Sequence, residues 1–204
     1  RALFFRAAEF APEPTQTAEW NRGAYLVRGL GHCAACHAGR NLLGASRSEL
    51  ALQGGAIPMQ HWYAPSLASA REAGVADWAT QDVVALLQTG TSPHGSTMGP
   101  MAEVVLRSTQ FLSDTDLHAM AVYLKALPQQ TPAAPPVKAP ESGQLSAGAT
   151  LYKEHCAQCH GEAGEGARGA YPALAGNRAV TLETPANLVQ TVLHGGFAPA
   201  TAGN

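Results

Sequence analysis

Cys33-Ala34-Ala35-Cys36-His37 stands near the start of the sequence, and Cys156-Ala157-Gln158-Cys159-His160 repeats its pattern further along. Together the two pentapeptides contain all 4 cysteines of the 204 residues. Two thiols about one helical turn apart can add to the two vinyl groups of one porphyrin, and the histidine that follows can bind the iron. The repeat therefore predicts two covalent c-type haems, held by the residues Cys33, Cys36, Cys156 and Cys159, with His37 and His160 as proximal ligands.

Three other uses of paired cysteines fit less well. A thioredoxin-like pair belongs to alternating strands and helices, which the sequence does not suggest. A zinc site would use four thiolates, or a mix of thiolates and imidazoles, and the four-thiolate version would leave the histidine after each pair unexplained. A disulfide across two residues would close little loop entropy. Haem attachment is thus the favoured interpretation, and the other three remain minor alternatives.

The composition restricts the class of protein further. Charged residues make up 14% of the sequence and the formal net charge is −2, whereas nucleic-acid binding favours a strongly basic surface. No apolar run reaches the roughly 20 residues of a membrane span. Because the sequence begins at Arg1 rather than Met, we expect the natural N-terminus to lie upstream, and the lack of a signal peptide says nothing about location.

Further elements recur after each motif. Pro65-Ser66-Leu67 follows the first, and Pro172-Ala173-Leu174 follows the second. Each is followed by an amphipathic segment that ends in glycine, Asp82 to Gly90 in the first copy and Asn187 to Gly195 in the second. The repeat predicts two copies of one helical haem domain.

The predicted fold is all-α, with two tandem haem domains joined by a proline-rich linker. Five prolines between residues 128 and 144 indicate a semi-rigid, extended connection. The predicted boundaries are 1–16 for an N-terminal arm, 17–127 for the first domain, 128–144 for the linker and 145–204 for the second domain, which we expect to be incomplete at its C-terminal end.

Two features of the predicted helices concern packing. Gly23 and Gly148 occupy similar places in the helices that lead into the two motifs, and a glycine on a helix face allows another helix to approach closely. The last helix of the first domain is expected to start at a Ser113 cap and to end before Pro128, with an apolar stripe formed by Leu117, Met120, Ala121, Leu124 and Leu127.

A methionine is expected to complete the coordination of the first haem. Met101 is favoured because Pro100 stiffens its approach in a loop that can cross the distal haem face. Met98 is the main alternative, Met59 is a distant third, and Met120 belongs to the apolar stripe. The second copy contains no methionine, since the counterpart of Met101 would fall just past the end of the sequence; His194 is an alternative ligand there.

Longer stretches resemble a known family. They are Trp20 to Val27, Cys36 to Asn41, Trp62 to Pro65, and Gly99 to Val105 with Ser108-Thr109. In these stretches the chain is similar to the multihaem cytochrome c subunits of bacterial membrane-bound, quinone-reducing dehydrogenases of alcohols, aldehydes and sugar acids. The family usually has Thr-Pro where this chain has Ala38-Gly39, a change that removes no ligand.

The resemblance implies a fold, a function and a location. The fold would be two class I cytochrome c domains, and residues 1–10 would resemble the connection out of a preceding haem domain. The chain would transfer electrons without being an enzyme itself, from a catalytic dehydrogenase subunit to quinone or to another cytochrome or oxidase. It would lie in the bacterial periplasm or on the periplasmic face of the inner membrane, with any membrane association supplied by segments outside this sequence.

The resemblance also implies roles for individual residues. Pro65 and Pro172 would offer a backbone carbonyl to the free N–H of each proximal histidine, which orients the ring and tunes the iron. Leu67 and Leu174 would line the haem pockets beside them. Three further side chains would contact the haem propionates: Arg40, Trp62 and Tyr63. In the alternative interpretation, the arginine is solvated and the two aromatic side chains pack together.

Two other functions remain open at this level. The missing second methionine and His194 allow a dihaem peroxidase-like enzyme with one open or histidine-ligated iron. The absence of an apolar span allows a stand-alone soluble electron shuttle. Haem content and low-spin c-type spectra, peroxide turnover and co-purification with a dehydrogenase would separate these two functions from an electron-transfer subunit.

Overall fold

The chain forms two compact units in a computed structural model that describes residues 9–46, 52–130, 141–167, 170–196 and 199–201. The first unit comprises Arg1–Thr131 together with Leu182–Asn204, and the second comprises Pro132–Thr181. Residues 1–8 of the predicted arm and 131–140 of the predicted linker lie outside the described residues.

Helices account for most of the regular structure. In chain order they are α1 (Ala18–Tyr25), α2 (Ala34–His37), α3 (Thr80–Thr89), α4 (Pro100–Arg107), α5 (Asp114–Lys125), α6 (Ser142–His155), α7 (Ala157–His160) and α8 (Ala186–His194). A π-helical turn, Leu26–Leu30, continues α1, and a 3-10 turn, Thr109–Phe111, precedes α5. Helices α6 and α7 lie in the second unit and the others in the first. None of the helices in the described ranges has the length and apolar character that a membrane crossing requires.

Two short hairpins correct the expectation of a purely helical fold. Strand β1 (Gly55–Ile57) pairs antiparallel with β2 (Trp62–Ala64), with Ile57 opposite Trp62. Its turn contains Met59 and His61, which both have positive φ angles, 62° and 57°. Strand β3 (Thr91–Ser92) pairs with β4 (Gly95–Ser96) across a two-residue reversal. Both hairpins are too short for a period-two pattern to reveal them in the sequence.

The predicted cap of α5 at Ser113 is confirmed, and α1 has a cap of the same kind. Thr17 caps α1 by accepting a hydrogen bond from Trp20 N at 3.1 Å. Ser113 caps α5 by accepting one from Asp116 N at 3.2 Å. The guanidinium of Arg22 on α1 binds both carboxylate oxygens of Asp116, at 2.7 and 3.0 Å, and this hydrogen bond holds the pKa of Asp116 below its usual range. The cap and the ion pair thus meet where the start of α5 approaches α1.

The core of the first unit is built on the predicted apolar stripe of α5. Leu117 and Met120 are buried, with 0% and 3% of their surface exposed, so Met120 is a core residue as expected. Around them pack other buried residues of α1, its π-helical extension and α3: Ala24, Leu26, Val27, Val83, Val84 and Leu87.

Gly23 allows α1 to touch α5, as predicted. A Cβ atom placed on Gly23 would lie 2.0 Å from the carbonyl oxygen of Ala119 and 2.8 Å from Cβ of Tyr123. The same expectation for Gly148 is not met, because a Cβ atom on Gly148 finds no described atom within 4 Å. The two glycines therefore have different structural roles despite their similar places in the repeat.

This difference gives a direct test. Replacing Gly23 with alanine is expected to lower the free energy of unfolding by about 3 kcal/mol, since the contact is with backbone that cannot move aside. Replacing Gly148 with alanine is expected to raise it by about 0.5–1 kcal/mol, because alanine loses less conformational freedom in a helix. Urea unfolding followed by circular dichroism measures both. Equal effects of the two changes would contradict the close approach at Gly23.

The compact units differ from the predicted domain boundaries at two places. Helix α6 begins at Ser142, inside the predicted linker 128–144, and is started by a capping box between Glu141 and Gln144. Residues Leu182–Asn204, which the repeat assigned to the second domain, pack within the first unit. The amide of Asn187 on α8 accepts a hydrogen bond from Tyr63 N and donates one to Tyr63 O, both at 2.8 Å. Packing of α8 on β2 accounts for its place in the first compact unit, and the assignment of 145–204 to a second haem domain stays a prediction.

Candidate haem attachment sites

The first cysteine pair lies on a single turn of helix. Cys33 precedes α2, and His37 N donates to Cys33 O at 2.8 Å, so that the turn brings both thiols and the imidazole together. Cys33 and Cys36 are half-buried and form no disulfide. Burial raises the pKa of Cys33 to about 11.

The imidazole of His37 is held by one hydrogen bond to the backbone. Its Nδ1 lies 2.7 Å from the carbonyl oxygen of Pro65. Since a carbonyl can only accept, Nδ1 carries the proton and Nε2 remains available as a ligand atom. Burial lowers the pKa of His37, which favours the neutral ring. This is the contact that the resemblance implied.

The second cysteine pair repeats this arrangement in the other unit. Cys156 directly precedes α7 and Cys159 lies within it, and both are half-buried free thiols. The Nδ1 atom of His160 lies 2.9 Å from the carbonyl oxygen of Pro172, again leaving Nε2 available. The ring of Tyr171 packs edge-on against His160, with 6.1 Å between centroids. At each motif, two thiols for covalent attachment and an imidazole oriented by a proline carbonyl fit the requirements of haem c.

The methionines differ in their surroundings. Met101 lies in the first turn of α4 and packs, partly buried, against the core of the first unit. The sulfur of Met98 lies 3.9 Å from the hydroxyl oxygen of Thr191 on α8. Met59 is 95% exposed in the β1–β2 turn. The choice of Met101 as distal ligand stays a prediction.

Trp62 lies against the segment that carries Met98 and Met101. A Cβ atom on Gly99 would lie 2.7 Å from the indole ring of Trp62, and Gly99 has a positive φ angle of 54°. Strand β2 and the candidate ligand segment are therefore in contact, a proximity that their separation in the sequence did not show. It makes Trp62 a support for that segment.

Arg40 and Tyr63 make contacts within the first unit. Arg40 donates to the carbonyl oxygen of Gly44 at 3.1 Å and to that of Ala35, so it connects the turn after α2 to α2 itself. The hydroxyl of Tyr63 donates to Oε2 of Glu72 at 2.9 Å. Contacts of these side chains with propionates stay predictions.

The remaining predicted residues have less specific surroundings. Leu67 packs, partly buried, against the core of the first unit. Leu174 is half-buried in the second unit, and His194 is exposed at the end of α8. Their proposed relations to a haem stay predictions.

Sequence reasoning missed Glu72 and Gly54. Glu72 accepts hydrogen bonds from Tyr63 and from the backbone N–H of Ser66 beside Pro65. Gly54 leaves the space in which these groups meet. An isolated glutamate and one glycine among 21 carry no signal of this kind in a single sequence.

The comparisons with known proteins agree with this site. Residues 145–204 match the family described as Cytochrome c. These residues are therefore a cytochrome c domain, and covalent haem c is the cofactor that such a domain implies.

Relatives of the whole chain are more specific. The chain is 39% identical over 206 residues to the cytochrome c subunit of alcohol dehydrogenase (quinone) from Gluconacetobacter polyoxogenes, covering 94% of this chain and 44% of the relative. It is 34% identical to the fructose dehydrogenase cytochrome subunit of Gluconobacter japonicus, covering 89% and 41%. It is 33% identical to the gluconate 2-dehydrogenase cytochrome c subunit of Pantoea cypripedii, covering 95% and 47%.

These names confirm the resemblance drawn from the sequence. The relatives are cytochrome subunits, which are electron-transfer components of dehydrogenases rather than their catalytic subunits. The chain spans less than half the length of each of these three relatives.

Proposed function

We propose that this chain carries two covalent haems c and relays electrons from a catalytic dehydrogenase subunit to quinone or another acceptor. The observation that carries the proposal is the repeated hydrogen bond from a motif histidine to a proline carbonyl, at 2.7 Å for His37 and at 2.9 Å for His160. The quinone and the dehydrogenase partner are taken from the names of the relatives. The proposed location is the periplasm or the periplasmic face of the inner membrane.

The residues at each motif have separate tasks. The two thiols would anchor the group covalently, and the imidazole would present Nε2 to the iron. The proline carbonyl fixes the ring orientation and makes the imidazole a stronger donor to the metal. Bound haem c supplies a one-electron centre whose potential depends on its axial ligands and surroundings. Met101 is the proposed distal ligand of the first haem.

The number of haems is the decisive measurement. The intact mass of the chain, produced in cells that attach haem c, should exceed that of the bare polypeptide by two haems. Replacing Cys33 and Cys36 with alanine should remove one of them, and replacing Cys156 and Cys159 should remove the other. Each double variant serves as the control for the other.

The same samples test the electron-transfer role. Reduced protein should show low-spin c-type spectra from both haems, and its reduction should follow addition of substrate to a catalytic dehydrogenase partner. A mass equal to the bare polypeptide would refute the proposal. A mass that shows one haem in the parent chain would refute the second haem and restrict the proposed electron relay to a single centre.

A further inference from the structure

One peptide unit connects the proximal histidine to a carboxylate. The carbonyl of Pro65 accepts the hydrogen bond from His37 Nδ1 at 2.7 Å. The N–H of the same peptide bond, which belongs to Ser66, donates to Oε2 of Glu72, also at 2.7 Å. His37 and Glu72 are thus bound to the two ends of a single amide group.

An amide group transmits polarisation between its two ends. Resonance gives the C–N bond partial double-bond character, which couples the carbonyl oxygen to the N–H. A carboxylate acceptor makes the hydrogen bond at the N–H strong, and hydrogen bonds in a chain strengthen one another in a low-dielectric interior. The carboxylate of Glu72 therefore increases the negative charge on the Pro65 oxygen that faces His37.

We propose that Glu72 is a positioning residue that strengthens the His37–Pro65 hydrogen bond through the Pro65–Ser66 peptide and thereby lowers the reduction potential of the first haem. A stronger bond at Nδ1 gives the imidazole more anionic character, which stabilises ferric iron. The inference rests on the proposed attachment of a haem at Cys33 and Cys36.

The residues around Glu72 hold its carboxylate and the Ser66 N–H close together. Ser66 is 5% exposed, and its carbonyl, which belongs to the next peptide, accepts from Ala73 N at 3.0 Å and so fixes the chain directly after the Pro65–Ser66 peptide. A Cβ atom on Gly54, whose φ is 82°, would lie 2.7 Å from the Tyr63 hydroxyl and 2.8 Å from Ser66 N. Any larger residue at position 54 would separate the groups that meet at the carboxylate.

Tyr63 is a second donor to the same carboxylate oxygen. Burial, and then its hydrogen bond to Glu72, raises the pKa of Tyr63 well above its usual range, so the hydroxyl keeps its proton and donates. It competes with Ser66 N–H for the charge of Glu72. Its removal should leave more of that charge to the peptide.

The second motif lacks this arrangement in the part of its unit that the structure describes. The Pro172–Ala173 peptide binds His160 through its carbonyl, but Ala173 N makes no hydrogen bond to a carboxylate among those residues. The next two N–H groups, of Leu174 and Ala175, donate to the carbonyl of Gly164. The second haem therefore serves as an internal reference for the first.

The test is a redox titration of the full haem-loaded chain with each haem resolved. Glu72→Gln keeps the shape of the side chain and an acceptor oxygen but removes the charge. We expect it to raise the midpoint potential of the first haem, to leave that of the second unchanged, and to speed solvent exchange of the His37 Nδ1 proton measured by NMR. Glu13→Gln, which removes an exposed carboxylate of the same unit, should shift neither potential.

Glu72→Asp separates the effect of the hydrogen bond to Ser66 N from the effect of the negative charge. It retains the charge but shortens the side chain by one methylene, so its carboxylate no longer reaches Ser66 N. We expect the same direction of shift as for Glu72→Gln. A parental potential in Glu72→Asp, with a shift in Glu72→Gln, would show that charge acts through space and would overturn the inference.

A third variant should shift the potential of the first haem in the opposite direction. Tyr63→Phe removes the competing donor and should lower the midpoint potential of the first haem. An unchanged or raised potential would count against the inference. This variant also keeps the inference testable if the Glu72 variants fold poorly. If both Glu72 variants carry two haems and the potential of the first haem is unshifted, this inference is overturned but the proposed function is not. A parent chain with the mass of the bare polypeptide would overturn the proposed function, and this inference with it.

Discussion

Replacing Met101 with alanine is expected to open the iron of the first haem to exogenous ligands and to lower its reduction potential. A thioether ligand favours the ferrous state, so its loss favours the ferric one. Met101 follows Pro100 in the first turn of α4 and packs against the core, which gives its side chain a defined position. Imidazole binding, the weak sulfur-to-iron charge-transfer band and a redox titration measure the effect.

Met98→Ala is the matched control, because Met98 lies three residues earlier in the same segment. Its sulfur lies beside Thr191 on α8, and its replacement should leave the spectrum nearly intact. If Met98→Ala abolishes the charge-transfer band and Met101→Ala spares it, Met98 is the ligand and the choice of Met101 is wrong.

Replacing Gly99 with alanine is expected to destabilise the first unit and to weaken methionine ligation at the same time. Gly99 has φ 54° and ψ −136°, a conformation that is nearly restricted to glycine. An added Cβ atom would also lie 2.7 Å from the Trp62 ring. Backbone strain and overpacking together should lower the free energy of unfolding by about 3–4 kcal/mol. Urea unfolding and the charge-transfer band report the two effects.

Gly44→Ala distinguishes strain from overpacking. Gly44 also has a positive φ, 78°, but a Cβ atom there meets no described atom within 4 Å. Its replacement should lower the free energy of unfolding by about 1–2 kcal/mol and spare the haem spectrum. Equal losses in Gly44→Ala and Gly99→Ala would show that contact with Trp62 contributes nothing.

Features that depend on neighbours in the sequence were predicted well. Ser113 acts on a backbone group three residues away, and the stripe around Leu117 and Met120 follows the helical period. The cysteine–histidine spacing places its three groups on one turn of helix in the same way. Such relations are determined locally, so the sequence alone is enough to show them.

Apart from the proline contacts of the two motif histidines, which the resemblance implied, and the close approach at Gly23, features that depend on distant contacts were not predicted. Glu72 reaches the Pro65–Ser66 peptide, and Asn187 reaches Tyr63 across 124 positions, without any periodic pattern that would link them. The repeat was misleading in one respect: Gly148 corresponds to Gly23 by position, but no described helix packs on it. Correspondence within a repeat predicts local structure better than it predicts partners.

The division of the chain has a consequence in polymer terms. Because Leu182–Asn204 belong to the same compact unit as Arg1–Thr131, the first unit is discontinuous in the sequence, and its two segments are separated by the 50 residues Pro132–Thr181. Folding of the first unit must therefore close a chain of this length, and the entropy cost of closure grows only slowly with the number of residues. Contacts between the two segments, such as those of Asn187 with Tyr63, must offset that entropy cost before they stabilise the unit.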